Sequence, residues 1–230
     1  MQPQASGVLP TGFRTLDDAL GGGWPRGRIV EMFGPSSSGK TTLAYQTIAH
    51  LQAQGGSAAW IDADHTFDPG YAASLGMVVE RVPVAQPDSA EQALEIACRL
   101  AASQAIDLLV LDSAAALVPH LELTSSLGES GSGLQSRVLA SGLRRLARAA
   151  TKSETAVVFL NQTRSKWDPS AGETETSAGG APLKMFAALR IALAPGAGRV
   201  RIRVVKNKAA EAFQEAVLLW KSGYGFTKSP

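Results

Sequence analysis

The sequence predicts an α/β fold: a twisted, mostly parallel sheet with helices on both faces and an antiparallel edge. Three observations predict it. Five apolar runs rich in Val, Ile and Leu recur over residues 28–161 with almost no polar alternation, as strands buried on both faces require. Helical patterns separate these runs, and strand–helix alternation is the signature of a parallel sheet. From residue 189 onward three more runs follow one another without helices, and Pro195–Gly198 reads as a hairpin turn, which makes that edge antiparallel.

In chain order the predicted strands are Arg28–Phe33, Ala58–Asp62, Val82–Ala85, Leu108–Asp112, Ala156–Asn161, Leu189–Leu193, Val200–Val205 and Ala216–Trp220. The predicted helices are Lys40–Gln54, Pro69–Leu75, Ser89–Ala102 and Gly133–Thr151. Asp88-x-x-Glu91 gives the third helix a capping-box-like start. Two stretches fit neither pattern. Leu123–Gly133 (LTSSLGESGSG) and Arg164–Gly180 (RSKWDPSAGETETSAGG) are rich in Gly, Ser, Thr and Pro. The second is long for a structureless connection inside a compact domain, which points to function or disorder. No repeat and no linker divides the chain, so residues 1–230 read as a single domain.

Composition narrows the class. Apolar residues make up 45% and charged residues 18% of the chain, the balance of a folded globular protein. No apolar run approaches the roughly 20 residues of a membrane span. Met1–Pro10 has neither the basic start nor the apolar stretch of a signal peptide, so the expected location is the cytoplasm. Cys98 is the single cysteine and lies in an amphipathic helical pattern, which excludes an internal disulfide and makes it buried filler. His50, His65 and His120 are scattered and form no ligand set, while Trp24 and Trp60 read as core. A net charge of +2 is too small to argue for nucleic acid by itself.

The sharpest motif is Gly34-Pro35-Ser36-Ser37-Ser38-Gly39-Lys40-Thr41, a complete GxxxxGK[ST] run between a predicted strand and a predicted helix. Gly34 and Gly39 let the backbone curl so that its N–H groups, with those of Ser36, Ser37 and Ser38, face phosphate oxygens. Lys40 brings positive charge to the outer phosphates, Thr41 offers a hydroxyl to Mg²⁺, and the helix N-terminus adds its dipole. Leu108–Asp112 is an apolar strand ending in an acid, the Walker B form, whose Asp112 would hold Mg²⁺ beside the loop. ATP and Mg²⁺ are therefore the expected ligands.

Beyond these generic motifs the chain resembles the bacterial RecA recombinase family. PTGFRTLDDALGGGWPRGRIVEMFGPSSSGKTTL resembles that family's entry into its phosphate loop, and WIDADHTFDPGYAASLG its second strand and following helix. QPDSAEQALEI, VLDSAAALVP, FLNQTR, TSAGGAPLKMF and VKNK follow in the family's order, so the likeness covers roughly Val8 to Phe226. It implies a RecA-like P-loop ATPase core in which the run from Ser37 to Thr42 binds the triphosphate, while Asp68 and Tyr71 hold the adenine. It implies that Gln162 senses the γ-phosphate and signals to the second glycine-rich loop, and that both loops bind single-stranded DNA. It also implies that Lys206 and Lys208 reach a neighbouring subunit's ATP.

The chain departs from the family pattern at named places. Asp64 stands where the family's general base is glutamate. The shorter side chain falls about an ångström short of the water it would orient, and such misplacement costs on the order of 10²-fold, so slow DNA-dependent hydrolysis is expected. Met185 stands where the family uses phenylalanine at its subunit contact. The family's N-terminal docking element and C-terminal domain find no counterpart in the sequence, so a monomer or small oligomer is expected. Shortened chains of this kind resemble ImuA-type proteins of bacterial mutagenesis cassettes, which implies a modulator of RecA filaments or a partner of an error-prone polymerase in translesion synthesis. The alternative is a minimal recombinase that itself binds single-stranded DNA.

Basic residues favour a nucleic-acid face. Arg137, Arg144, Arg148 and Lys152 are spaced seven, four and four apart, which aligns them along one helix face, with Arg145 beside them. Arg164, Lys166 and Lys184 flank the second glycine-rich stretch, Gly179 and Gly180 would allow close backbone approach, and Trp167 would either stack on a base or fold back onto the domain surface. Trp220 and Tyr224 fall near the nucleotide of a neighbour if the family's arrangement holds.

Overall fold

The computed structural model describes residues 7–126, 133–168 and 172–227. Its large sheet is built around β3 (Ile29–Gly34), whose residues are all buried. Parallel neighbours flank it: β7 (Ala156–Asp168) on one side, followed by β6 (Leu108–Asp112), β4 (Ala58–Asp62) and the short edge strand β5 (Val84–Ala85). On the other side β9 (Leu189–Gly196) also runs parallel to β3, after which β10 (Arg199–Asn207), β11 (Glu215–Lys221) and β12 (Gly225–Thr227) continue antiparallel. The predicted sheet, including its antiparallel edge, is therefore the observed one. Its apolar runs lack alternation because helices cover both faces.

On one face lie α1 (Arg14–Leu20), α2 (Lys40–Ala53) and α3 (Pro69–Ser74), packed through residues such as Leu16, Leu43 and Ile48. On the other lie α4 (Ala90–Ala102), α6 (Leu134–Ser153) and α7 (Ala181–Phe186). Along α6 the buried positions are Leu139, Leu143, Leu146 and Ala150, the stripe that a 3.6-residue period produces. Truncating Leu143 to Ala would cost about 2–5 kcal/mol. Trp24 and Trp60 are both 1% exposed and belong to the core, and Cys98 is buried between α4 and α6. Among the described residues no helix is long and apolar enough to cross a membrane.

The structure differs from the sequence reading in four places. The run Val82–Ala85 forms only the two residues of β5, because Val79–Arg81 takes a 3₁₀ turn before it. The helix cap lies one residue later than expected: Ser89 accepts from the N–H of Gln92, and Gln92 accepts from the N–H of Asp88. The N-terminal stretch carries α1 and a two-strand pair, β1 (Val8–Leu9) with β2 (Trp24–Pro25), and a further short helix, α5 (His120–Thr124), precedes residue 127. Most consequentially, the second glycine-rich stretch is no structureless connection. β7 runs on through Asp168 and pairs antiparallel with β8 (Gly172–Ser177), forming a two-stranded arm. The side chain of Trp167 on that arm, and residues 127–132 of the first stretch, lie outside the described residues.

Candidate nucleotide site and nucleic-acid face

The C-terminal ends of β3, β4, β6 and β7 meet at one edge of the sheet, where β3 turns through the phosphate-loop motif into α2. Two glycines make that turn possible. A Cβ on Gly34 would lie 2.6 Å from the Leu193 carbonyl oxygen, and one on Gly39 would lie 2.5 Å from the Phe226 ring. Gly39 also takes φ of 87°, a left-handed conformation natural to glycine. Lys40 is buried, and its ammonium donates to the carbonyls of Gly34 (3.1 Å) and Pro35 (2.8 Å) and to Ser38 Oγ (3.3 Å). Burial lowers its pKa, against the pull of Asp112 and Asp64. A buried cation held by the loop's own oxygens fits an anionic group placed in the loop.

Three carboxylates stand beside it, with distinct environments. Asp112 accepts from Thr41 Oγ1 at 3.0 Å, which brings the two expected Mg²⁺ ligands together. Burial pushes Asp112 up to about 6; the Thr41 bond and Lys40 oppose this, while Asp64 and Asp62 add to it. Asp62, fully buried, accepts from the N–H groups of Thr66 and Phe67 and from Gln86 Nε2. Those bonds shape the turn that carries Asp64. Asp64 is half-buried, and its Oδ1 accepts from Ser113 Oγ at 3.2 Å. Ser113 is thus the contact that orients Asp64. The residues present fit a triphosphate with a divalent cation: a curled loop, a cation, a hydroxyl and a neighbouring carboxylate.

Asp68 and Tyr71 adjoin the loop from α3. Asp68 caps α3 by accepting from the Tyr71 N–H (2.9 Å), and Tyr71 Oη is 2.9 Å from Thr42 Oγ1. Opposite them a cleft of about 310 Å³ separates Ser37, Gly39 and Thr42 from Pro195, Arg199 and Trp220. Trp220 is 40% exposed and packs edge-on against Phe226. Sequence reasoning did not place Pro195 or Arg199 here, since the hairpin returns to the loop only through the tertiary fold.

Gln162 is also at this edge. The parallel register pairs it with Gly34, its side chain is exposed, and its carbonyl accepts from Ala178 N–H at 2.9 Å. Gly179 and Gly180 follow with φ of 80° and 76°, packed so that a Cβ would sit 3.3 Å from Leu139 and 2.7 Å from Ser136 Oγ. The base of the arm therefore abuts the first turns of α6. Arg137, Arg144, Arg148, Lys152 and Arg164 are exposed, whereas Arg145 is paired with Glu95 at 2.8 Å.

Lys206 donates to the carbonyls of Lys184 (2.7 Å) and Met185 (3.2 Å), capping the C-terminal end of α7 within its own chain, while Lys208 is exposed. Met185 itself is 69% exposed. On β10 the alternation Arg199, Arg201, Arg203 puts three exposed guanidinium groups on the outer face, with Val200, Ile202 and Val204 buried beneath. Successive members of that row are about 6.8 Å apart along the strand.

A family model described as the RecA N-terminal domain matches residues 2–226. Protein RecA of Chloroflexus aurantiacus is 49% identical over 220 residues, covering 91% of this chain and 63% of that protein. Protein RecA of Leptospira meyeri is 49% identical over the same span, 57% of its length, and protein RecA of Thermus thermophilus is 47% identical over 230 residues, 68% of its length. The chain thus spans less than two thirds of the first of these relatives.

Proposed function

The chain belongs to the RecA family, and from that membership we propose that it is a RecA-type ATPase core that binds single-stranded DNA in an ATP-dependent manner. The observation that carries the reading is the register of β3 with β7, which sets Gln162 beside the phosphate loop and joins it through Ala178 to the base of the arm. In this reading the N–H groups of Ser36 to Thr42 and the Lys40 ammonium hold the triphosphate. Thr41 and Asp112 hold Mg²⁺, which supplies charge neutralisation across the phosphates. Asp68, Tyr71 and the Trp220 side of the cleft enclose the base.

Asp64, oriented by Ser113, accepts a proton from the attacking water, and its short side chain keeps turnover low. Gln162 detects the terminal phosphate and biases the arm and the glycine pair. Arg137, Arg144 and Arg164, with the Arg199–Arg201–Arg203 row, give the DNA phosphates their partners. The reading is that of the recombinase-type core; no described residue and no relative named above speaks for the ImuA-type modulator. A fluorescent oligo(dT) titrated with and without a non-hydrolysable Mg·ATP analogue tests it. The nucleotide should tighten binding by about tenfold or more. Equal affinity in both conditions would sink the coupling.

A further inference from the structure

Glu31 lies midway along β3, fully buried, and the chemistry above gives it no task. Its Oε1 accepts from Asn161 Nδ2 at 2.8 Å and its Oε2 from Arg190 Nε at 2.5 Å. The same Asn161 amide donates to the Ala178 carbonyl at 2.9 Å, and Asn161 Oδ1 accepts from the Gln162 N–H at 2.9 Å. Arg190 sends Nη2 to Ser177 Oγ at 3.2 Å, and its guanidinium lies 4.9 Å from the centre of the Phe33 ring. Three adjacent strands, β7, β3 and β9, are thereby cross-tied just below the phosphate loop.

Stability alone is a poor reason for this arrangement, because apolar residues of similar volume often serve as well as a buried ion pair. The far ends of the bonds are more telling. Among the described residues, the remaining side-chain hydrogen bonds of Asn161 and Arg190 involve Gln162, Ser177 or Ala178, the residues that join the arm to the sheet. We infer that Glu31, Asn161 and Arg190 are positioning residues. They hold Gln162 and the end of β8 in fixed register with the strand that feeds the phosphate loop, so a movement at Gln162 is passed to the arm rather than absorbed by it. The inference rests on the reading of Gln162 as the phosphate-sensing residue.

The test compares hydrogen exchange of the amides of residues 172–178 with and without a non-hydrolysable Mg·ATP analogue. Wild type, Gln162→Ala, Glu31→Gln and the double variant Glu31→Gln with Arg190→Met are measured in parallel. In wild type the analogue should slow exchange by about tenfold, the scale of an ordinary coupling between sites. Glu31→Gln and the double variant should bind the analogue within about threefold of wild type yet lose the slowing. The double variant leaves no orphaned buried charge, so it carries the test even where the single variant folds poorly. Restored slowing in the double variant would mean that the network only fills the core, and would overturn the inference. Slowing kept in both Glu31 variants but lost in Gln162→Ala would overturn it too and leave the sensing role of Gln162 standing. Slowing kept in Gln162→Ala would overturn the sensing role, and the inference with it.

Discussion

Replacing Asp112 by Asn should stabilise the nucleotide-free, metal-free protein while abolishing its response to Mg·ATP. Asp112 is 6% exposed, and burial drives its carboxyl from an ordinary value of 3.8 up to about 6. The folded state therefore binds a proton more tightly than the unfolded chain does. Stability is highest below the ordinary carboxylate value and is lost as pH rises through about 6. A rise of about two units, at about 1.4 kcal/mol each, sets an upper bound of about 3 kcal/mol. Asn keeps an acceptor for Thr41 but adds an amide that needs a partner, so the expected gain at about pH 8 is about 1–3 kcal/mol. Urea denaturation in a chelator should show that gain at about pH 8 and its disappearance near pH 4. Mg·ATP should raise wild-type stability by about 2–4 kcal/mol at 100 to 1,000 times its dissociation constant, and leave the variant nearly unmoved. An Asn variant no more stable than wild type at the higher pH would refute the reasoning, because burial would then not be the dominant influence on Asp112.

Three further outcomes follow from the same site. Lys40→Ala should lose the Mg·ATP shift in thermal melts but keep the fold, since its bonds go only to the loop itself; an equal shift in the variant would contradict the assignment. Asp64→Glu should raise ATP turnover by restoring reach, by as much as about 10²-fold, and Asp64→Asn should nearly abolish turnover while sparing nucleotide binding. Unchanged turnover in both would remove Asp64 from the chemistry. Single-stranded DNA affinity should fall with a log–log salt slope of about −0.7 per phosphate neutralised, and replacing Arg201 and Arg203 by Ala should make that slope shallower. A slope unaffected by the pair would take the β10 row out of the interface.

Much of the candidate nucleotide site was legible in the sequence because its parts are contiguous. The phosphate loop is one run of residues, and an apolar strand ending in Asp112 points to the same edge of the sheet. What escaped was set by pairing at a distance. The arm formed by β7 and β8 was hidden by its Gly, Ser and Thr content, which blurs strand periodicity until the two strands are laid against each other. Glu31 and Arg190 are 159 positions apart, so nothing local ties one to the other. The alternation of Arg199, Arg201 and Arg203 was visible, but which face meets solvent depends on α1 and α2 covering the other side. Lys206 caps α7 within its own chain, a bond no local pattern signals.

The most direct test of the central claim is steady-state ATP hydrolysis by the chain with and without oligo(dT), using Asp64→Asn as the blank. The account predicts low turnover without DNA and stimulation by about tenfold or more when DNA is added, carried from the arm through Ala178 and Gln162 to the phosphate loop. Turnover that DNA leaves unchanged, or that survives in Asp64→Asn, would contradict it.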